Sequence, residues 1–114
     1  MVYTGWSVRW NSTRDYRNMD RAGIPHFPSY SIDAARFLVE ARQVVGLGID
    51  TQSVDRGDSV DHPVDRYCAE HSVYSLENVA NLMQTPQTGA IAVVTPQKIK
   101  NASGAPARIL ALVQ

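Results

Sequence analysis

The chain has 114 residues, 44% of them hydrophobic and 19% charged, a balance that excludes a disordered polymer and fits one globular domain or part of one. Eleven basic and eleven acidic side chains cancel, with a pI near 6.8, which argues against a nucleic-acid module that works by neutralising phosphates. Apolar runs of about six residues fall far short of the roughly 18 that a membrane span needs, so no membrane partner is expected.

The opening Met1-Val2-Tyr3-Thr4-Gly5 shows neither the basic start nor the apolar core of an export signal. Cys68 is the only cysteine and cannot form an internal disulfide. Both features point to a reducing, cytoplasmic setting. Met1 to Thr4 is β-prone and ends at Gly5, as though a strand had been entered from an earlier segment. Arg9, Arg14, Arg17 and Arg21 lie among Trp6, Trp10 and Tyr16, but Asp15 and Asp20 dilute the charge, so a solvated loop or frayed helix is expected rather than a stacking surface. Pro25 and Pro28 punctuate a loop through His26-Phe27.

Ser31 is a suitable N-cap and Asp33 suits the positive end of a helix dipole. Ile32, Ala35, Leu38 and Val39 recur at helical spacing, widened by Ala34, Phe37 and Ala41, which predicts a buried helix over 32–42. Val44 to Ile49 is continuously apolar and reads as a strand covered on both faces. It ends in Asp50-Thr51, and ligand crevices in α/β sheets open at the carboxyl ends of such strands. Five aspartates, Asp50, Asp55, Asp58, Asp61 and Asp65, follow within this stretch. Their charge calls for water, a cation or a partner chain. The tripeptide Arg56-Gly57-Asp58 is too short to carry an adhesion function, and the sequons at Asn11 and Asn101 would matter only in a secreted protein.

Pro63 is placed to open a short helix reaching about Glu70, with Asp65 in its first turn, and 73–76 reads as a short strand. Pro86 and Gly89 frame a turn before an apolar strand over 90–95. Lys98 to Lys100 alternates, Asn101 to Gly104 turns, and 107–113 forms a closing strand. The sum is an α/β domain with a mixed sheet.

Asp65 and Glu77 are the pair that could carry chemistry. A helix over 64–70 rises roughly 9 Å at 1.5 Å per residue, and a strand returning over 73–77 covers about 16 Å at 3.3 Å per residue. Glu77 is thereby carried back beside Asp65, where two carboxylates could converge on a cation. The alternative is that Asp65 complements a helix terminus and Glu77 is an ordinary surface acid. His62, three residues before Asp65, is the one histidine placed to join them; His26 lies in the proline loop and His71 complements a helix end. A mononuclear metal site wants three or more converging ligands, so this set is partial. Cys68 reads as a small core residue with no base beside it. Gly46 and Gly48 lie within a strand and do not form a phosphate-cradling turn.

Several segments, taken in order, resemble the metal-dependent cyclase family, which includes kynurenine formamidase and isatin hydrolase. They are Thr4-Gly5-Trp6-Ser7 with Arg9-Trp10, His26-Phe27-Pro28 leading to Ser31 and Ala34-Ala35, and Gly48-Ile49-Asp50-Thr51 with Ser53 and Asp55. Leu76-Glu77-Asn78-Val79-Ala80-Asn81-Leu82, Pro96-Gln97-Lys98-Ile99 and Ser103-Gly104-Ala105-Pro106-Ala107-Arg108 complete the set. The resemblance covers nearly the whole chain and is to the C-terminal half of the family. It implies a swivelling β/β/α cyclase-type fold, of which residues 1–114 form a single, partial domain. It also implies a Zn or Mn cation that activates water, and hydrolysis of an amide in a small, often aryl, substrate.

The family's His-x-Gly-Thr-His-x-Asp ligand motif has no counterpart here. Glu77 matches a family metal ligand. Asp65 stands twelve residues earlier, where the family has a histidine, and its shorter oxygen-bearing side chain favours harder ions. The resemblance therefore implies a hydrolase portion that is inactive alone and takes a small-molecule substrate only when complemented. The alternative is a non-catalytic remnant that binds a partner or small molecule. Unpaired sheet edges would make the chain a homo-oligomer or bring it to a partner chain.

Overall fold

Side-chain caps set the helix starts in the computed structural model, which describes residues 1–113. A 3-10 turn, Trp6–Arg9, leads to α1 (Thr13–Arg17), where the Ser12 hydroxyl accepts the Asp15 N–H. The helix stops at Asn18 in the left-handed region. Ser31 caps α2 (Ile32–Arg36) as expected, accepting the Ala34 N–H at 3.1 Å. The helix then widens into a π turn over Phe37–Ala41.

Ala35 is fully buried and Ile32, Leu38 and Val39 are half-buried, but Phe37 is exposed beneath the Arg42 guanidinium. At about 100° per residue Phe37 lies roughly 160° around the helix from Ala35, so the expected apolar stripe was drawn too wide.

β1 (Gly46–Gly48), α3 (Pro63–Glu70) and β2 (Tyr74–Leu76) form a βαβ unit in which the strands pair in parallel, Leu47 opposite Ser75. The strand is shorter than the expected 44–49. Val44 still donates its N–H to Leu38, and Val45 is 72% exposed, so burial on both faces begins only at Leu47. The amino-terminal segment contributes one parallel bridge, Val2 to Ile49, in place of a full strand. The Tyr74 ring lies over Gly46, where a Cβ would fall about 2.2 Å from it and the exposed ring would have to move.

Helix α3 keeps the expected bounds and buries Val64 and Cys68, one turn apart. With Tyr30, Ala35, Leu47, Ile49, Val54 and Val73 they make the core, with Leu38, Val39, Val44 and Tyr67 packed against it.

β3 (Ile91–Pro96) and β4 (Ala107–Leu112) pair antiparallel from Ile91 opposite Leu112 to Pro96 opposite Ala107. The expectation of one mixed sheet is corrected: the parallel and antiparallel pairs are separate two-stranded sheets. The chain forms two compact units, Met1–Leu82 and the residues from Met83 onward, and the two sheets lie one in each. No helix among the described residues is long and apolar enough to cross a membrane.

Candidate functional site at the carboxyl ends of the parallel strands

The loop after β1 buries its first acids and satisfies them from the backbone. Asp50 is 1% exposed, and Oδ1 accepts the Thr4 N–H at 2.9 Å and the Thr4 hydroxyl at 2.6 Å, while Oδ2 accepts the Ser7 N–H at 3.2 Å. Burial alone would raise this carboxyl, but the three donors together hold it below the usual carboxylate range. Asp55, equally buried, accepts the Val64 N–H at 2.8 Å through Oδ1 and the Asp65 N–H at 2.9 Å through Oδ2. It therefore caps α3 from eight residues before Pro63, a role that His62, at the N-cap position with φ of 45°, does not fill with its side chain.

Asp58 is held by a two-pronged contact from Arg56, at 2.9 and 2.6 Å. Asp65 Oδ1 accepts the Ser75 hydroxyl at 2.8 Å. The aspartate-rich stretch thus answers most of its charge internally, through backbone N–H groups, Arg56 and Ser75. The expectation that this acidity would require water, a cation or a partner is corrected for Asp50, Asp55 and Asp58. Gly57 sits between Arg56 and Asp58 with its backbone against the Pro25 carbonyl, where a Cβ would lie about 2.1 Å from the oxygen.

Past β2 the chain folds back over the end of β1. Asn78, with φ of 54°, donates its N–H to Thr51, and Val79 donates to Ile49. The Tyr16 hydroxyl lies 2.6 Å from Asn78 Oδ1 and 3.3 Å from the Asp50 carbonyl, tying α1 to both strand ends. Burial raises the Tyr16 phenol, and the negative charges of Asp50 and Glu77 add to the effect.

Glu77 leaves β2 on the same face as Ser75, two residues before it. The residue is exposed, yet its carboxylate is turned inward: Oε1 accepts the Val54 N–H at 3.2 Å. Partial loss of solvent raises the Glu77 carboxyl above its usual value, against hydrogen bonds from Ser53 and Val54, with the charges of Asp65 and Asp55 adding to the rise. The charge of Asp65 therefore acts on Glu77, while the Ser75 hydroxyl serves Asp65 alone of the two. The exposed His62 does not join them: its backbone N–H donates to Ser59, and its ring makes no contact with either carboxylate among the described residues.

Among the described residues, no three His, Cys, Asp or Glu side chains are grouped to hold a metal ion. With no third donor grouped beside Asp65 and Glu77 among the described residues, this chain's own donors do not fit a Zn or Mn ion, which wants at least three converging ligands.

The remaining sequence candidates take structural places. Burial pushes the Cys68 thiol up, with Asp65 adding to the rise, and the side chain is wholly enclosed. His71 Nδ1 lies 2.8 Å from the Tyr67 carbonyl and its ring packs on Tyr67. Trp6 donates its ring N–H to the Tyr16 carbonyl with Arg9 over its face, and Trp10 meets Tyr16 edge-on. The remote cap by Asp55 and the Thr4–Asp50 clamp had no local sequence signal, because each partner lies outside the residue's own turn.

The family model described as "Putative cyclase" matches residues 1–56. The curated isatin hydrolase of Roseibium aggregatum is 32% identical over 99% of this chain, and the match spans 44% of that protein. Isatin hydrolase A from Ralstonia solanacearum superposes with a TM-score of 0.88 and 33% identity over 96% of this chain and 43% of its own. A structure titled as a potential metal-dependent hydrolase with cyclase activity matches at a TM-score of 0.65 and 30% identity, over 75% of this chain and 41% of its own. The chain thus spans less than half the length of the relatives it matches. Its likeness is to the cyclase family, of which it resembles a partial, isatin hydrolase-like portion.

Proposed function

We propose that this chain is one portion of a swivelling β/β/α cyclase-type hydrolase that cleaves an amide in a small aryl or cyclic substrate. It is inactive alone and works in a reducing, cytoplasmic setting. The observation that carries this reading is Glu77: it stands at the carboxyl end of a parallel strand, its carboxylate accepts hydrogen bonds from Val54 and Ser53, and the charge of Asp65 acts on it. A polypeptide bearing the His-x-Gly-Thr-His-x-Asp segment would supply the missing donors. A second reading, a non-catalytic remnant that binds a partner or small molecule, is favoured by the engagement of Asp65 with Ser75 and of Asp55 with α3.

Zinc titration of the full chain, alone and mixed with such a polypeptide, separates the two. The hydrolase reading expects no stoichiometric ion on the chain alone and binding in the mixture. Glu77→Ala abolishes that binding, and Asp65→His strengthens it about tenfold or more by restoring imidazole. One ion per isolated chain after gel filtration, or silence of both variants in the mixture, would contradict it.

A further inference from the structure

Tyr16 is the one buried residue of α1, and it lies outside the core cluster. The 3-10 turn before it buries no side chain. This stretch adds little to the apolar core, and its polar contacts go to the loops at the strand ends. The Tyr16 N–H closes on the Ser12 carbonyl at 2.8 Å. The Tyr16 carbonyl accepts the Trp6 ring N–H at 2.9 Å and the Gln52 side-chain amide at 3.1 Å, while Trp10 meets the ring edge-on. One residue is thus held by the loop after β1 through its carbonyl and reaches the segment after β2 through its hydroxyl.

The hydroxyl meets the residue that follows Glu77. It donates to Asn78 Oδ1 at 2.6 Å, with the Asp50 carbonyl a second, longer acceptor at 3.3 Å. Asn78 stands at a φ of 54°, a left-handed conformation that an L residue keeps only where its surroundings hold it. Two backbone bonds bracket Glu77: the Leu76 carbonyl accepts the Ile49 N–H at 2.9 Å, and the Asn78 N–H donates to Thr51 at 2.8 Å. The side chain of Asn78 is fixed by Tyr16 alone among the hydrogen bonds described. Relaxation of Asn78 turns the peptide between it and Glu77, and with it the direction in which the Glu77 side chain leaves the chain.

We infer that Tyr16 is a positioning residue for Glu77: through Asn78, its hydroxyl locks the turn that keeps the Glu77 carboxylate on the Val54 N–H, at the carboxyl ends of the parallel strands. The inference rests on the hydrolase reading for what Glu77 would hold, and on the geometry alone for where Glu77 is kept. Val54 supplies the probe, because it is wholly buried and its N–H donates to Glu77 Oε1 at 3.2 Å. Its amide exchange reports whether the carboxylate is in place.

Hydrogen exchange of the full chain tests the strut in two variants. Tyr16→Phe removes the hydroxyl and keeps the ring, and Asn78→Gly removes the acceptor while tolerating the left-handed turn. A merely structural loss speeds the amides of Val54, Val64 and Cys68 by one common factor, that of global unfolding. The expected result is that Val54 speeds about tenfold or more beyond that factor in each variant, toward the rate in Glu77→Ala. Combining the two changes adds little, because both remove the same bond. In the zinc titration with the complementing polypeptide, each variant weakens binding about threefold or more. A common factor at all three amides, additive effects of the two changes, or zinc affinity unchanged in both variants where the wild type binds would overturn the inference. A wild-type mixture that binds no zinc sinks the hydrolase reading instead, and the Val54 comparison on the isolated chain then decides the inference by itself.

Discussion

The βαβ unit has half the strand length of the β3–β4 ribbon, three residues a strand against six, and the two spend their polar and apolar groups in opposite ways. In the first, buried acids are matched by donors, as Asp50 is by Thr4 and Ser7 and Asp55 by Val64 and Asp65, over a core running from Tyr30 to Val73. In the second, the two strands pair in register over their whole length, but Ile91, Val93, Leu110 and Leu112 are exposed. Hydrogen bonding closes the ladder in both, and only the first gains the burial that outweighs chain entropy. Regular secondary structure is therefore no guide to which part of this chain is stable by itself.

Removing the satisfied acids should erase the advantage of the first unit. Asp55→Ala has the largest expected effect, because it strands the buried Val64 N–H and the Asp65 N–H at the start of α3. The loss should be about 2–4 kcal/mol. Asp55→Asn retains one acceptor and should lose about half as much. Urea unfolding followed by far-UV circular dichroism measures both, and a change within about 0.5 kcal/mol for the alanine variant would deny the cap its role.

Acid dependence sharpens the comparison with a smaller effect, and its sign differs between two acids of the same site. Asp50 has a lowered pKa when folded, so its contribution is present above its unfolded pKa and is lost as pH falls through the folded one. Glu77 has a raised pKa when folded, so its ionisation opposes folding at neutral pH and the penalty fades as pH falls through that raised pKa. Glu77→Gln should therefore stabilise the chain at pH 7, by an amount of order 0.5 kcal/mol after solvent screening, with the gain vanishing in acid. Melting curves across pH that show a gain growing toward low pH would have the sign wrong.

Elements with their signals close in sequence were legible. Ser31 marked α2, Pro63 and Asp65 marked α3, and the apolar runs marked β3 and β4. The pairing of Asp65 with Glu77 on one cation, argued from element lengths, is a proposal for the zinc titration; the structure gives only the charge of Asp65 acting on the Glu77 carboxyl. What escaped depended on distant partners. The Asp55 cap spans a loop, the Asp50 clamp reaches 46 residues back to Thr4, and the bond from Tyr16 to Asn78 spans 62. The aspartate stretch looked like unmet charge for the same reason, since backbone N–H groups leave no mark in a sequence. The single mixed sheet failed because alternation gives strand faces and says nothing of which strands share a ladder.

Hydrogen exchange on the full chain, under conditions where it is monomeric, tests the contrast most directly. The account predicts that amides of Leu47, Ile49, Val64 and Cys68 exchange only through global unfolding. Those in the β3–β4 ladder, such as the Val93 and Leu110 region, should exchange faster by a factor of about 10² or more. Equal protection of the two sets in the monomer would contradict it, because the ribbon would then share the stability of the core.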